Sequence, residues 1–429
     1  MNSYLIKFDL SGIMPFVFNV PNTLAMRALK NRSVYVQNIS DDLLKKIQDY
    51  FNIKNEEPLY NSSGTFYLEV NTDKDELEID NFLQSLENPF IEQDIYPYFT
   101  YIEKKSENFG ELFESVNKSM QKAKLHRQIC FDLIDNKRLQ IPDIDIKTIK
   151  GINGQVLDGD FDYITQQSEG DKKIAAIKLD VDNLNSLFHN KTKNEYKKIS
   201  DSLKDFFDQK LLQLIKDLKM QQSVFVVYSG GGNAFLIGSW NHIFDLSIEI
   251  KEQFNKFNQK LKSEISSIKD ITFSAGIIIF TARLPMIQLQ EEVEEALMSA
   301  KRAINKDSVC CFGKTVLWNE FIQSQKIVLQ LVDLIKNRGE SKSLLERIKA
   351  SDIGFDKIQQ DANRGIINIP KVWRLKYFLR NVKKNNEEAV RKLFDAYTKA
   401  ILDAFVNRKT TNPELYPIAA RWAELLMKK

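Results

Sequence analysis

Two carboxylates stand two residues apart at the end of an apolar run: Asp180 and Asp182 in KIAAIKLDVDNL (173–184). Such a pair could hold Mg²⁺, which prefers hard anionic oxygens, against the phosphates of a nucleotide. It equally suits a solvated strand terminus with turn-forming side chains. Further along, Ser229-Gly230-Gly231-Gly232-Asn233 interrupts a second apolar run. Consecutive glycines can bring backbone N–H groups close to a phosphate, or form a hairpin turn that needs positive φ angles; the turn is the favoured reading. Asp180, Asp182, Ser229, Gly230, Gly231, Gly232 and Asn233 are therefore the candidate nucleotide set, and Asp180 and Asp182 the candidate metal ligands.

Two basic clusters form a second class of candidate. Residues 371–392 hold Lys371, Arg374, Lys376, Arg380, Lys383, Lys384, Arg391 and Lys392, opposed by Glu387 and Glu388 and interleaved with Trp373, Tyr377 and Phe378. Basic charge with aromatics can grip RNA or single-stranded DNA by phosphate contact and stacking. The alternative is an amphipathic helix with its aromatics in the core and its lysines in water; this is favoured for the aromatics, leaving Arg374, Lys376, Arg380, Lys383 and Lys384 as candidate nucleic-acid contacts. Arg27, Lys30 and Arg32 form a smaller cluster, balanced between nucleic-acid contact and surface ion pairing. His126, on a long helix, is read as structural.

The elements that must position these residues fall into two similar halves. YLIKFDL (4–10) reads as a strand, 22–30 as a helix, RSVYVQNI (32–39) as a half-buried strand, and 41–51 as a helix. PLYNSSGTFYLEVN (58–71) reads as a hairpin, and 75–86 and 108–130 as helices. After a polar stretch at 131–170 the pattern restarts: a strand at 173–184, helix at 193–219, strand–turn–strand at 222–239, helix at 241–267, strand at 271–282, helix at 289–304 and a strand or hairpin at 309–318. Beyond about 320 only helical spacing recurs. Both halves open on a strand bearing Asp (Asp9, Asp180) and carry a small-residue hairpin, which suggests internal duplication. The expected fold class is α+β: a ferredoxin-like domain at 1–130, a linker or insert at 131–170, a second such domain at 171–320, and a helical domain at 321–429.

Bulk properties set outer limits. A chain of 429 residues with 28 Phe, 14 Tyr and 4 Trp can build several cores. A formal net charge of +3 permits a nucleic-acid partner without requiring one. The N-terminus lacks a signal-peptide pattern, and no uncharged apolar run approaches the roughly 18 residues of a membrane span. Three cysteines, Cys130, Cys310 and Cys311, make neither a disulfide framework nor a zinc site. A cytoplasmic location is expected.

The strings IAAIKLDVDNLNSLF (174–188), VFVVYSGGGNAFLIG (224–238), FSAGIIIFTARLP (273–285) and EEALMSAKRAINKDSVCCFG (294–313) together resemble the second palm domain of the large subunit of type III CRISPR effector complexes. YLIKFDLSGIMPFVF (4–18) with RALKNRSVYVQ (27–37) resembles that family's first palm, and PIAARWAELL (417–426) the end of its C-terminal helical domain, nearest the III-A branch. The resemblance implies two palm domains and a place in an antiviral ribonucleoprotein. It implies as partners a guide RNA, a target RNA, an end-capping subunit, backbone subunits and a small helical subunit.

The departures narrow this expectation. Where the family's active palm has a Gly-Gly-Asp-Asp turn, this chain has Gly230, Gly231, Gly232 and Asn233. Two-metal nucleotidyl transfer needs those carboxylates, so the cyclic-oligoadenylate synthesis of the family is expected to be absent or feeble. No His-Asp pair of the kind that marks the family's nuclease domain occurs, and 131–170 lacks the paired cysteines of a zinc insert. The expected role is a catalytically degenerate subunit that needs no cofactor, scaffolding the guide RNA 5′ end and the small subunits. The alternatives are a nucleotide-binding sensor, or a residual nucleotidyltransferase using ATP, Mg²⁺, Asp180 and Asp182.

Overall fold

The structure is a computed structural model that describes residues 2–20, 25–54, 56–62, 64–87, 90, 95–104, 109–131, 161–188, 191–265, 267–352, 364–365, 373–406 and 412–428. The first unit runs β1 (Asn2–Ser11), α1 (Ile13–Phe18), α2 (Ala25–Tyr50), β2 (Tyr60–Ser62), β3 (Thr65–Thr72), α3 (Glu76–Glu87), β4 (Tyr96–Glu103) and α4 (Phe109–Phe131). Its strands pair antiparallel in the order β2-β3-β1-β4. This is the split β-α-β arrangement of a ferredoxin-like sheet.

Two expectations change here. Residues 32–39, read as a strand from local alternation, lie inside the 26-residue helix α2. Its buried Leu29, Val36, Ile39, Leu43 and Ile47 recur every three to seven residues, so burial along the whole segment follows the helical period and overrides the local Val-Tyr-Val alternation. Strand β4, in YPYFTYIE, went unrecognised, yet it is the edge partner of β1.

The second unit repeats the plan. It runs β5 (Ile174–Val181), α6 (Leu184–Leu187), α7 (Lys193–Lys204), a π-helical turn (Asp205–Lys210), α8 (Leu211–Asp217), β6 (Val224–Gly230), β7 (Asn233–Ser239), α9 (Trp240–Glu264), β8 (Phe273–Phe280), α10 (Met286–Lys301), β9 (Ser308–Cys311) and β10 (Lys314–Leu317). The sheet order is β10-β9-β8-β5-β7-β6, so β6-β7-β5-β8 reproduces β2-β3-β1-β4 strand for strand. Between the units, the polar 131–170 segment contains a short helix, α5 (Phe161–Gln166), with Phe161 and Ile164 buried; 132–160, like the side chain of His126 and like Lys371, falls outside the described residues.

After Leu317 the regular elements among the described residues are helical: α11 (Trp318–Val332) with a π-turn at Asp333–Asn337, α12 (Ser343–Ser351), α13 (Trp373–Phe378), two 3₁₀ turns (Leu379–Asn381 and Lys384–Asn386), α14 (Glu387–Val406) and α15 (Leu415–Met427). Trp422 of α15 stacks on Phe321 of α11 at 5.5 Å and meets Phe244 of α9 edge-on at 4.7 Å, tying the helical region to the second sheet. The two sheet units share a core: Phe18 at the end of α1 packs on Phe235 of β7 at 4.7 Å, and Phe113 of α4 on Tyr196 of α7 at 4.9 Å. Among the described residues, no helix is long and apolar enough to cross a membrane.

Gly276 of β8 sets the distance between this sheet and α10. It lies opposite Lys178 of β5, and a Cβ there would sit 2.4 Å from the Leu297 nitrogen and 2.7 Å from the Val293 carbonyl oxygen. Backbone cannot yield as a flexible side chain can. Gly276→Ala is therefore expected to cost about 3 kcal/mol, read as a fall of several degrees in Tm. Gly313→Ala, where nothing lies within 4 Å and only the positive φ of 72° is strained, should cost about 1 kcal/mol.

Candidate functional site

β5 is the fourth strand of six, flanked antiparallel by β7 and β8. Ala175, Ile177, Leu179 and Val181 belong to one core, and Ile174 and Ala176 to another. On this second face the strand turns polar at Lys178 and Asp180, the side covered by α10. Lys178 pairs with Glu294, and Asp180 with Lys301, both on α10. Burial, with Lys306 and Lys178 nearby, pushes the Lys301 ammonium down to about 8.

Asp182 faces different partners. Its carboxylate is buried and accepts from Thr272 Oγ1 at 2.8 Å, Ser274 Oγ at 2.9 Å and the Asp307 backbone N–H at 3.1 Å. It thereby fixes the start of β8 and the loop after α10, where Lys306 and Asp307 both take positive φ. Three donors on one carboxylate hold it in place and leave it little freedom to coordinate a cation.

The glycine run is the β6–β7 hairpin. Gly230, Gly231 and Gly232 have φ of 143°, 63° and 94°, values that disfavour any side chain. The Gly232 carbonyl accepts from Val181 N at 2.8 Å, and Asn233 lies opposite Asp180. The Asn233 side-chain oxygen is buried with no hydrogen-bond partner among the described residues.

The first unit carries the same construction. Lys7 and Asp9 on β1 correspond to Lys178 and Asp180 on β5. Lys7 donates to Asn117 at 2.6 Å, and Lys124 to Asp9 at 2.6 Å, both from α4. Asn117 and Lys124 are separated by seven positions, as are Glu294 and Lys301. The Gly64 carbonyl accepts from Leu10 N at 2.8 Å, matching Gly232 and Val181. Thr65 opposes Asp9 as Asn233 opposes Asp180, and donates to it at 2.9 Å. Sequence reasoning paired Asp9 with Asp180 but missed Lys124 and Lys301; Lys301 lies 121 positions from Asp180, and only its place in SAKRAINKD drew notice.

A cavity of about 390 Å³ lies between the units. Ile13, Met14 and Val17 of α1 give it an apolar wall; Lys30, Ser33 and Gln37 of α2 face Tyr228, Ser229 and Asn233 of the hairpin; Lys204 and Asp208 close one side. Lys30 approaches the Phe225 ring at 5.9 Å, and burial lowers its pKa. The Arg27–Arg32 cluster is thus divided. Lys30 enters the cavity, Arg27 is exposed, and Arg32 donates to the carbonyls of Phe16 and Asn19 at 2.6 Å each, closing the end of α1.

In the C-terminal cluster, the expected burial of the aromatics holds only for Phe378; Trp373 and Tyr377 are 63% and 59% exposed. Leu375 and Phe378 face the core, so helical geometry turns positions 373 and 377 outward. Arg391 and Lys392 pair with Glu387 and Glu388 one turn away.

The second unit contains the donors Asp180, Asp182 and Asn233 where a two-metal site would need several carboxylates. Asp180 is already answered by Lys301, Asp182 is consumed by three donors, and Asn233 is neutral. This set does not fit two divalent cations. Among the described residues no group of three or more His, Cys, Asp or Glu side chains converges on one point.

Comparison with known proteins bears out the large-subunit resemblance. Residues 173–310 match the family model for the Cas10/Cmr2 second palm domain, and residues 2–136 that for Csm1 subunit domain B. The chain is 21% identical over 459 residues to the CRISPR system single-strand-specific deoxyribonuclease Cas10/Csm1 (subtype III-A) of Enterococcus italicus, covering 80% of this chain and 59% of that protein. It is 22% identical to the Streptococcus thermophilus protein of the same description, covering 74% and 55%. The chain thus spans less than three fifths of the length of these relatives. The fold matches Csm1 of T. onnurineus with a TM-score of 0.72, at 16% identity, over 100% of this chain and 70% of that one. A Csm1–Csm4 cassette in complex with pppApApA matches with a TM-score of 0.74, at the same identity and coverage.

Burial raises the Asp208 carboxyl on the cavity wall to about 6, Lys204 opposing and Asp205 adding to the shift. The folded state then holds a proton that the unfolded chain has lost between about pH 4 and 6, so stability falls as pH rises through that window. Because the group is partly open to water, the penalty above pH 6 is put at about 1–2 kcal/mol. Asp208→Asn should raise Tm by a few degrees at pH 7.5 and leave it unchanged at pH 4, as measured by thermal melts across that range.

Proposed function

We propose, from the match of the second sheet unit to the Cas10/Cmr2 second palm domain and of the first to Csm1 subunit domain B, that this chain serves as a large subunit of a type III-A CRISPR ribonucleoprotein whose second palm no longer joins nucleotides. The observation that carries the second part is the pairing of Asp180 with Lys301 beside a hairpin that offers Gly232 and Asn233. An internal ammonium answers the one available carboxylate, and no anionic oxygen lies opposite it to bind a second cation. Scaffolding is then the subunit's work. Its palms contact an end-capping subunit at the 5′ end of the guide RNA, and its C-terminal helices contact the small-subunit row. The solved relatives that pair Csm1 with Csm4 support a partner subunit.

A second reading, nucleotide binding without conversion, is favoured by the cavity. It joins an apolar wall to Lys30, Ser229 and Asn233. Ligand pockets have this composition: apolar surface with a few placed polar groups. Solved relatives hold AMPPNP and cA4 in complexes of the same fold.

The subunit, purified with the products of neighbouring genes, is expected to carry short RNAs that share one constant 5′ end. Given labelled ATP with Mg²⁺ or Mn²⁺, it should yield no oligoadenylate. Product that forms and disappears in Asp180→Ala would overturn the degenerate reading, and a protein that emerges alone and RNA-free would overturn the scaffold. Nucleotide binding without conversion predicts a thermal shift with millimolar ATP, of similar size with and without Mg²⁺.

A further inference from the structure

The C-terminal helical region carries a surface that the palm domains do not account for. From Trp373 to Lys384 the sequence WRLKYFLRNVKK holds five cations and no carboxylate. Leu375 and Phe378 anchor α13; Phe378 packs on Phe394 of α14 at 6.2 Å and lies under the Arg347 guanidinium at 5.5 Å. With those positions fixed, Trp373 and Tyr377 project from the opposite side, four residues apart and therefore neighbours on one face. Each carries a guanidinium: Arg374 lies 5.5 Å from the Trp373 ring and Arg380 5.2 Å from the Tyr377 ring.

The chain beyond α13 is held by a buried acid. Glu340 accepts from Asn386 Nδ2 at 3.0 Å and from the Lys383 backbone N–H at 3.3 Å, and Asn386 also donates to the Arg338 carbonyl at 3.4 Å. This clamp holds the backbone at Lys383 and Asn386 while the side chains of Lys383 and Lys384 remain exposed. Two exposed rings, each paired with an arginine, are thus followed along the chain by two exposed lysines on a fixed turn.

We propose that this face binds single-stranded nucleic acid, with Trp373 and Tyr377 stacking on bases and Arg374, Arg380, Lys383 and Lys384 facing the phosphate backbone. One sign of charge decides the class of partner. Protein interfaces use Trp, Tyr and Arg too, but a twelve-residue segment with five cations and no acid complements a polyanion. Flat exposed rings favour unpaired bases, since a duplex buries the base faces that would stack.

The test is fluorescence anisotropy with labelled 20-mers of rU and dT, using the full chain in its assembled complex. Trp373→Ala/Tyr377→Ala should weaken binding at least tenfold and leave Tm unchanged, because both rings are already in water. Trp373→Phe/Tyr377→Phe should retain most of the affinity. Lys383→Ala/Lys384→Ala should reduce the slope of log affinity against log salt by about 1.4, at about 0.7 per single-strand phosphate contact. Unequal effects on the two oligomers would separate an RNA site from a DNA site. Unchanged affinity for both oligomers in the double alanine variant would overturn the proposal. So would loss of the helical partner subunit from the complex with oligomer binding intact, which would mark a protein interface instead.

Discussion

A charge on the central strand of a covered sheet must be answered from inside the protein. β1 and β5 each lie between two other strands with a helix across one face, and each carries Lys and Asp two positions apart on that face. Burying such groups unpaired would cost several kcal/mol apiece. The covering helix supplies the partners two turns apart, Asn117 and Lys124 in one unit, Glu294 and Lys301 in the other. The rest of both palms is arranged to permit that contact: Gly276 lets α10 lie close to β8, and Gly64 and Gly232 bring the hairpins over the aspartates.

The two units differ at one place in this repeat. In the first unit Asp9 is shared between Lys124 and Thr65, an arrangement complete within the protein. In the second, Asp180 has its lysine, but the residue in the place of Thr65 is Asn233, whose buried oxygen lacks a partner among the described residues. The two units thus share the Lys–Asp pairing and differ at the residue opposite the aspartate.

The C-terminal region follows a different rule. α11 and α15 bind it to the second sheet through Trp422, Phe321 and Phe244, so its position is fixed by aromatic packing rather than by paired charges. Its uncompensated cations lie where packing has no use for them, on the outward side of α13 and the turn after it. The Lys–Asp pairs of the central strands are answered within the fold, whereas the cations of this face are left to solvent or to a partner.

Much was legible in the sequence because it is local. The strands of the second unit, the glycine turn between β6 and β7, the Phe312-Gly313 hairpin and the helical C-terminus each declare themselves over a few residues by periodicity or by glycine. Even the duplication showed in the matched Asp9 and Asp180. Tertiary structure decided what depends on distant partners. Residues 32–39 are helical because burial along the whole of α2 outweighs a short alternation, and β4 exists because β1 has an edge to pair. Trp373 and Tyr377 face water because Leu375 and Phe378 took the core side of α13. The sequence could place two aspartates and three glycines in order. Only folding across 121 positions set Lys301 against Asp180, a contact invisible to any local pattern.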